Sequence, residues 1–495
     1  LEAKFMTTIP HRLPTATAIG SQPTEQTGSI WRLAWPQTLM MVFHFLIGFV
    51  DVYVAGRIGE EVQAALGMIT QALLFFLIIA IALANGSVAA ISQSLGAGKT
   101  FRAVRYVTMV LTLVLVAGFV LAALAFPLRG LFLDLLRTPA SIRDVTDAFL
   151  RIYLILLPVY YLLVVGNAVF RAQKQVHIPL LSMILVTLLN TLADFGLCFG
   201  LFGLPELGAI GLAWATLISV SCGCLFNCFL LGKRGWLKPS AFPPWRWMKH
   251  ALPYLWMVAW PAGLMQTLWQ TAYLVLFAIT ASLPRGEVVA LAALAAGIRV
   301  ESILFLPAFA FNMTASILVG HALGRDDPEQ AKRIGLKTWT IGCFLVTSLG
   351  AGLWFIVDPV AGLLTSRLAV QQEIASYLHF NIAAIPFTAT SMILGGVFLG
   401  AGATRYTMLA IGGTVWCVRL PLAFILGHLI LGRATGVWAA MLISQFIQSL
   451  LMAFLFARKN WTRFSMQAMK REKKTTGALH VSHLPSSFPG KTNRI

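Results

Sequence analysis

The sequence predicts an all-α polytopic membrane protein, with twelve transmembrane helices arranged as two pseudo-symmetric six-helix bundles. Three observations carry this reading. Of the 495 residues, 58% are hydrophobic and only 11% are charged, a balance far from that of a water-soluble domain. Apolar stretches long enough to cross a hydrocarbon core of about 30 Å, which takes about 20 residues of helix, recur along the whole chain. The two halves also repeat one another at a nearly constant offset. Alternating polar and apolar strands of about ten residues, the mark of an outer-membrane barrel, are absent, so helices are the spanning structure.

In order, the spans read as 33–55, 65–92, 106–127, 148–170, 178–202, 208–231, 250–280, 288–320, 335–357, 375–400, 406–431 and 434–457. Residues 1–32 form an N-terminal segment, in which Leu1 to Phe5 ahead of Met6 read as a vector-derived remnant. The N-terminal lobe covers 33–231, a basic, proline-rich linker 232–249, the C-terminal lobe 250–457, and a basic tail 458–495. The tail lacks apolar periodicity and reads as a solvated charged segment. Span 1 carries Pro36, fifteen residues before Asp51, about 22 Å along a helix. A proline there removes a backbone hydrogen bond and marks a candidate bend.

The repeat is the strongest architectural signal. Ala34-Trp35-Pro36 with Leu39-Met40 recurs as Ala259-Trp260-Pro261 with Leu264-Met265. Ser94-Leu95-Gly96 matches Ala322-Leu323-Gly324, Val169-Phe170 matches Val397-Phe398, and Gly211 with Leu217-Ile218-Ser219 matches Gly436 with Leu442-Ile443-Ser444. Every offset is 225 or 228. Each lobe has an even number of spans, so both lobes point the same way and their pseudo-axis runs along the membrane normal.

The formal charge of +19 does not indicate nucleic acid, because the cations follow topology. Lys and Arg collect after even-numbered spans: Lys99, Arg102 and Arg105; Arg171 and Lys174; Lys233 to Lys249; Arg325 to Lys337; and Arg405. The opposite loops hold Glu60, Glu61, Asp134, Asp144, Asp147, Glu206, Glu287 and Glu373. The positive-inside rule then puts both termini and the basic loops in the cytoplasm. The six cysteines lie in apolar spans and read as small buried hydrophobes; no metal site, cofactor or disulfide framework is expected.

Asn190 and Asp194 lie four residues apart inside an otherwise apolar span, on one helical face. A carboxylate at that depth must be protonated, paired or facing water, and it marks an ion or substrate pathway. The other embedded acids are Asp51 in span 1 and Glu301 in span 8. Asp51 maps to Leu276 at its repeat position, which assigns ion coupling to the first lobe: Asp51, Asn190 and Asp194, with Thr216 as a hydroxyl neighbour. Burial and a second carboxylate both disfavour the charged form, as proton loading requires. The same oxygens are also types that ligate Na⁺. In the second lobe, Gln266, Trp269, Gln270, Tyr273, Glu301 and Asn312 are candidates to line a substrate cavity, and Arg299, Glu301 and Arg419 a structural polar network. Two rocking lobes suit a secondary transporter; no GxxxxGK[ST] loop supports an ATP-driven pump, and no cluster of His, Asp or Cys supports an enzyme.

Several segments together resemble the multidrug and toxic-compound extrusion (MATE) transporters. They are Pro36, Phe49 to Gly56, Asn190-x-x-x-Asp194, Gly208 to Thr216, Gln93-Ser94-Leu95-Gly96-Ala97-Gly98, Val319-Gly320-His321-Ala322-Leu323-Gly324 and Gly400 to Arg405. The resemblance spans about residues 30–457. It implies two six-helix bundles, alternating access and export of organic cations in exchange for H⁺ or Na⁺. The acids at Asp51 and Asp194, with Asn190, Thr216 and Arg299-Val300-Glu301, resemble the proton-coupled DinF-like branch. Spans 7 and 10 lack the acids that Na⁺-linked members carry, and Gln173-Lys174 departs from the family's small or acidic loop. The expected protein is therefore an inner-membrane antiporter, not an enzyme. It exports amphipathic cations for protons, contacts membrane lipid, binds no nucleic acid and acts as a monomer. A Na⁺-coupled exchanger and a flippase for lipid-linked or anionic substrates are the alternatives.

Overall fold

The computed structural model describes residues 23–238 and 241–472. Twelve helices are long and apolar enough to span a membrane: α1 Pro23–Ile58, α2 Glu60–Gly96, α3 Thr100–Leu135, α4 Ala140–Ala172, α5 His177–Phe199, α6 Ala209–Lys233, α7 Trp245–Ala281, α8 Glu287–Gly324, α9 Pro328–Trp354, α10 Leu368–Ala401, α11 Thr404–Ile430 and α12 Ala434–Arg458. Among the described residues there is no strand. Each predicted span is present, and most helices run several residues past it, because polar and basic turns such as Thr100–Arg105 stay helical beyond the apolar stretch.

Three boundaries need correction. Residues 23–32, placed in a preceding segment, already belong to α1. The linker is shorter than 232–249, because α7 starts at Trp245, whose predecessor Pro244 is extended and serves as its N-terminal boundary. The tail is not wholly solvated: after α12 the chain turns through Trp461–Phe464, forms a helical stretch at 466–472, and buries Trp461, Ser465 and Met466. Leu1 to Phe5 and the rest of the tail lie outside the described residues.

Helices α1–α6 pack among themselves, as do α7–α12, and the two lobes meet where α2 crosses α7 and α8 and where α1 meets α8. The seam is reciprocal in the way a two-fold repeat demands. A Cβ on Gly96 would lie 2.2 Å from the His321 carbonyl oxygen, and one on Gly324 would lie 2.3 Å from that of Gln93. Only glycine permits such backbone approach. Gln93 Nε2 donates to the Gly400 carbonyl at 2.8 Å, and His321 Nε2 donates to the Ala172 carbonyl at 2.9 Å. Gln93 and His321, Gly96 and Gly324, and Ala172 and Gly400 are each 228 positions apart. The same helix ends therefore grip each other twice, once in each direction.

This seam closes the end of the molecule that bears the basic loops. The C-terminal segment lies over it: the Met466 N–H donates to Gln93 Oε1 at 2.8 Å, the Gln467 amide to the Gly324 carbonyl at 3.3 Å, and Arg471 pairs with Asp326. Lys174, in the turn after α4, sits in the same region. Burial and the nearby Arg325 and Arg32 push its ammonium group down to about 8.

Candidate functional site

The first-lobe cluster is assembled by three helices. Close crossing of α5 and α6 is set by Gly211, where a Cβ would lie 2.8 Å from the Leu197 carbonyl oxygen, and by Gly223, where it would lie 2.4 Å from Val186. That crossing faces Asn190 and Asp194, both with no exposed surface, toward the half-buried Asp51 of α1. Asn190 Nδ2 donates to Asp51 Oδ1 at 2.8 Å and to Asp194 Oδ2 at 2.6 Å. One amide thus bridges the two carboxyl groups. Asp194 Oδ1 is buried with no hydrogen-bond partner among the described residues.

Asn190 is oriented from behind by Ser219 of α6, whose hydroxyl donates to Asn190 Oδ1 at 3.2 Å. Thr216 stands aside from this contact: its hydroxyl donates to the Leu212 carbonyl at 3.0 Å and lies against the Tyr153 phenol of α4. Ser219 and Tyr153 were not singled out as site residues in the sequence. Ser219 had a signal, as part of the repeated Leu-Ile-Ser triplet; Tyr153 had none. At Pro36, α1 continues as a helix. Next to it, the Gln37 side-chain amide donates to the Leu33 carbonyl at 2.9 Å and, across the seam, to Thr314 of α8 at 2.8 Å.

In the second lobe the expected arrangement is only partly present. Arg299 is exposed and takes no part in a network with Glu301, because positions two apart face different ways on a helix. Glu301, 6% exposed, instead accepts a 2.6 Å hydrogen bond from Tyr377 of α10. Asn312 is half-buried; its amide donates to the Met392 carbonyl at 2.6 Å, and a Cβ on Gly396 would lie 2.1 Å from its own carbonyl oxygen, so it serves the α8–α10 contact. Gln266, Trp269, Gln270 and Tyr273 form a half-buried face of α7, with the two rings 5.4 Å apart. Arg419 is buried, 5.4 Å over Trp269.

The family model described as MatE matches residues 36–195 and 261–425, once in each lobe, starting at the two equivalent prolines Pro36 and Pro261. The chain belongs to the MATE family. Membership makes it a multi-pass membrane transporter, not an enzyme, among proteins of multidrug efflux. It is similar to a probable multidrug resistance protein NorM of Thermotoga maritima, 25% identical over 89% of this chain and 94% of that one. A NorM of Bradyrhizobium diazoefficiens is 28% identical over 86% and 92%. Among solved structures, a MOP superfamily transporter from Pyrococcus furiosus superposes with a TM-score of 0.82 at 21% identity, covering 89% of this chain and 96% of that one. A MATE described as being in the straight conformation gives 0.81 at 21% identity, over 90% and 97%. At that identity the likeness speaks to the fold, which is the twelve-helix architecture derived above.

Proposed function

We propose that this transporter is an inner-membrane antiporter of the DinF-like type, exporting amphipathic organic cations in exchange for protons held at Asp51 and Asp194. The observation that carries the reading is the orientation of Asn190. Its N–H₂ group faces both carboxyls while its oxygen is turned away to Ser219. A Na⁺ cage needs converging oxygens, and an N–H donor between two carboxylates works against one. Two carboxylates bridged by one amide, one buried and one half-buried, repel each other when both are charged, and a proton on one of them removes that repulsion. Loss or gain of that proton, at the junction of α1 with α5, changes how firmly α1 is held to its lobe.

The two lobes, 33–231 and 250–457, are the moving bodies, and the closed seam is one of two end states. With both termini and the basic loops cytoplasmic, the seam closes the cytoplasmic side, so substrate leaves by the opposite one. The transporter works as a monomer surrounded by lipid and carries no cofactor. The test is efflux of a fluorescent organic cation from proteoliposomes with a pH gradient and a Na⁺ gradient imposed separately. Drive by the pH gradient alone is the expected result; drive by Na⁺ alone overturns the proton assignment.

A further inference from the structure

The chain at the end of α12 repeats the chain at the end of α6. Arg458-Lys459-Asn460-Trp461 lies 225 positions after Lys233-Arg234-Gly235-Trp236, the offset that relates other parts of the two lobes. Both tryptophans are buried, and so are Ala241 and its repeat partner Met466. The two copies then diverge. The first runs on into α7 at Trp245, whereas the second folds back over the seam as a helical stretch, 466–472.

This second copy is fastened to the C-terminal lobe. The Trp461 ring stacks on Phe456 of α12 at 5.6 Å and meets Phe398 of α10 edge-on at 6.2 Å, while its indole N–H donates to the Phe456 carbonyl at 3.0 Å. Phe464 packs edge-on against Tyr406 of α11, the Gln467 amide reaches the Gly324 carbonyl, and Arg471 pairs with Asp326. A further bond crosses to the other lobe, from the Met466 N–H to Gln93 Oε1 of α2 at 2.8 Å. Met466 opens its helical stretch, where a backbone N–H has no acceptor within the helix, so this donor is available to a neighbour. Ser465 caps the same stretch, its hydroxyl accepting from the Ala468 N–H at 3.3 Å.

Gln93 has no exposed surface, and its amide is held at both ends: Nε2 on the Gly400 carbonyl, Oε1 on Met466. Without the Met466 donor a buried oxygen is left unpaired, and the amide loses the contact that aims its N–H₂ group at Gly400. Opening the seam must therefore draw α2 away from α10 and from the tail together.

We infer that residues 461–472 form a latch, which rides on the C-terminal lobe and holds the seam shut by hooking Gln93 of the N-terminal lobe. Each opening has to release that hook, so its strength sets the fraction of open transporters. The inference rests on the reading of the two lobes as moving bodies; the hook itself is tested without it.

The test uses Met466→Pro in the full-length protein, with Met466→Ala as its control. Proline suits the first position of a helix, and Ser465 before it is already extended at φ −69°, ψ 152°, as a residue preceding proline needs to be. The alanine variant gives up the Met466 side chain and keeps the N–H. Spin labels at Lys99 and Lys332, exposed sites on the two lobes, are read by pulsed dipolar spectroscopy in a cysteine-free background. Met466→Pro should raise the open-to-closed ratio about fivefold over Met466→Ala, the worth of one net hydrogen bond. Arg471→Glu, which sets a carboxylate against Asp326 at an exposed site, should raise it about twofold over the wild type. Amide hydrogen exchange tests the hook directly: Gln93→Ala should speed exchange within 461–472. Equal open fractions in Met466→Pro and Met466→Ala overturn the latch, and so does exchange within 461–472 that is as fast in the wild type as in Gln93→Ala. If Gly96→Ala opens the seam while Met466→Pro does not, the latch alone falls; if neither opens it, the moving-lobe reading falls with it.

Discussion

Gly96→Ala places a single methyl group where the seam is tightest. At a helical position, alanine for glycine ordinarily stabilises by about 0.4–1 kcal/mol, so the sign predicted here runs against propensity. The added carbon would lie 2.2 Å from the His321 carbonyl oxygen, whereas ordinary contact begins near 3.4 Å; the neighbour is backbone and cannot swing aside. Helices α2 and α8 must therefore part by about 1.2 Å. That stretches the 2.8 Å Gln93–Gly400 bond and the 2.9 Å His321–Ala172 bond past hydrogen-bonding range. At about 1 kcal/mol net for each bond, the closed state loses about 2 kcal/mol, a shift of about thirtyfold in the equilibrium between closed and open seams. Spin labels at Lys99 and Arg325, on exposed turns of the two lobes, report that equilibrium by pulsed dipolar spectroscopy in a cysteine-free background. The variant should move its distance distribution to longer values. Gly324→Ala, the repeat partner, should do the same, and the double variant should add little because the helices have already parted. An unchanged distribution, or two fully additive effects, would refute the reciprocal seam.

Two further outcomes follow from the same geometry. Asn190→Ala removes both donors to the carboxyl pair and the acceptor for Ser219, at about 1.5–3 kcal/mol for each hydrogen bond to a charged group. Efflux driven by a pH gradient should fall by about ten- to a hundredfold with the protein still folded by circular dichroism; efflux at the wild-type rate would show that Asn190 does not organise the acids. Lys174 supplies a pH signature. Its ammonium group is pushed down to about 8, below the free-lysine value of about 10.4, so its charge destabilises the folded seam below about pH 8. That penalty is lifted as pH rises from about 8 toward 10.4, where the unfolded chain binds more protons. Thermal melting in detergent should show Lys174→Gln more stable than the wild type at pH 7, with the gap narrowing over that window. A gap independent of pH would contradict the cause given.

Much of this was legible in the residues. Span count follows from apolar length, and the repeat follows from short identities whose offset survives because both copies use the same close crossings. Gly96, Gly324 and Gly211 are legible as glycines for that reason. The pairing of Asp51 with Asp194 was readable because isolated acids in apolar helices have few places to go. What the sequence did not show is which neighbour takes each donor. Arg299 and Glu301 are close in sequence yet on different faces, while Tyr377 reaches Glu301 across 76 positions, a contact fixed by the packing of α8 on α10. The described part of the tail, to residue 472, packs on the end of the bundle through Trp461 and Met466, a contact that leaves no apolar period to read.

The central claim is that Asp51 and Asp194 hold the exchanged proton. Its most direct test is proton release from the purified protein in weakly buffered solution when an organic cation is added, read with a pH-sensitive dye. The account predicts release by the wild type and none from Asp194→Asn or Asp51→Asn, each of which removes one member of the pair. Substrate binding with no release by the wild type, or undiminished release from both variants, would contradict it.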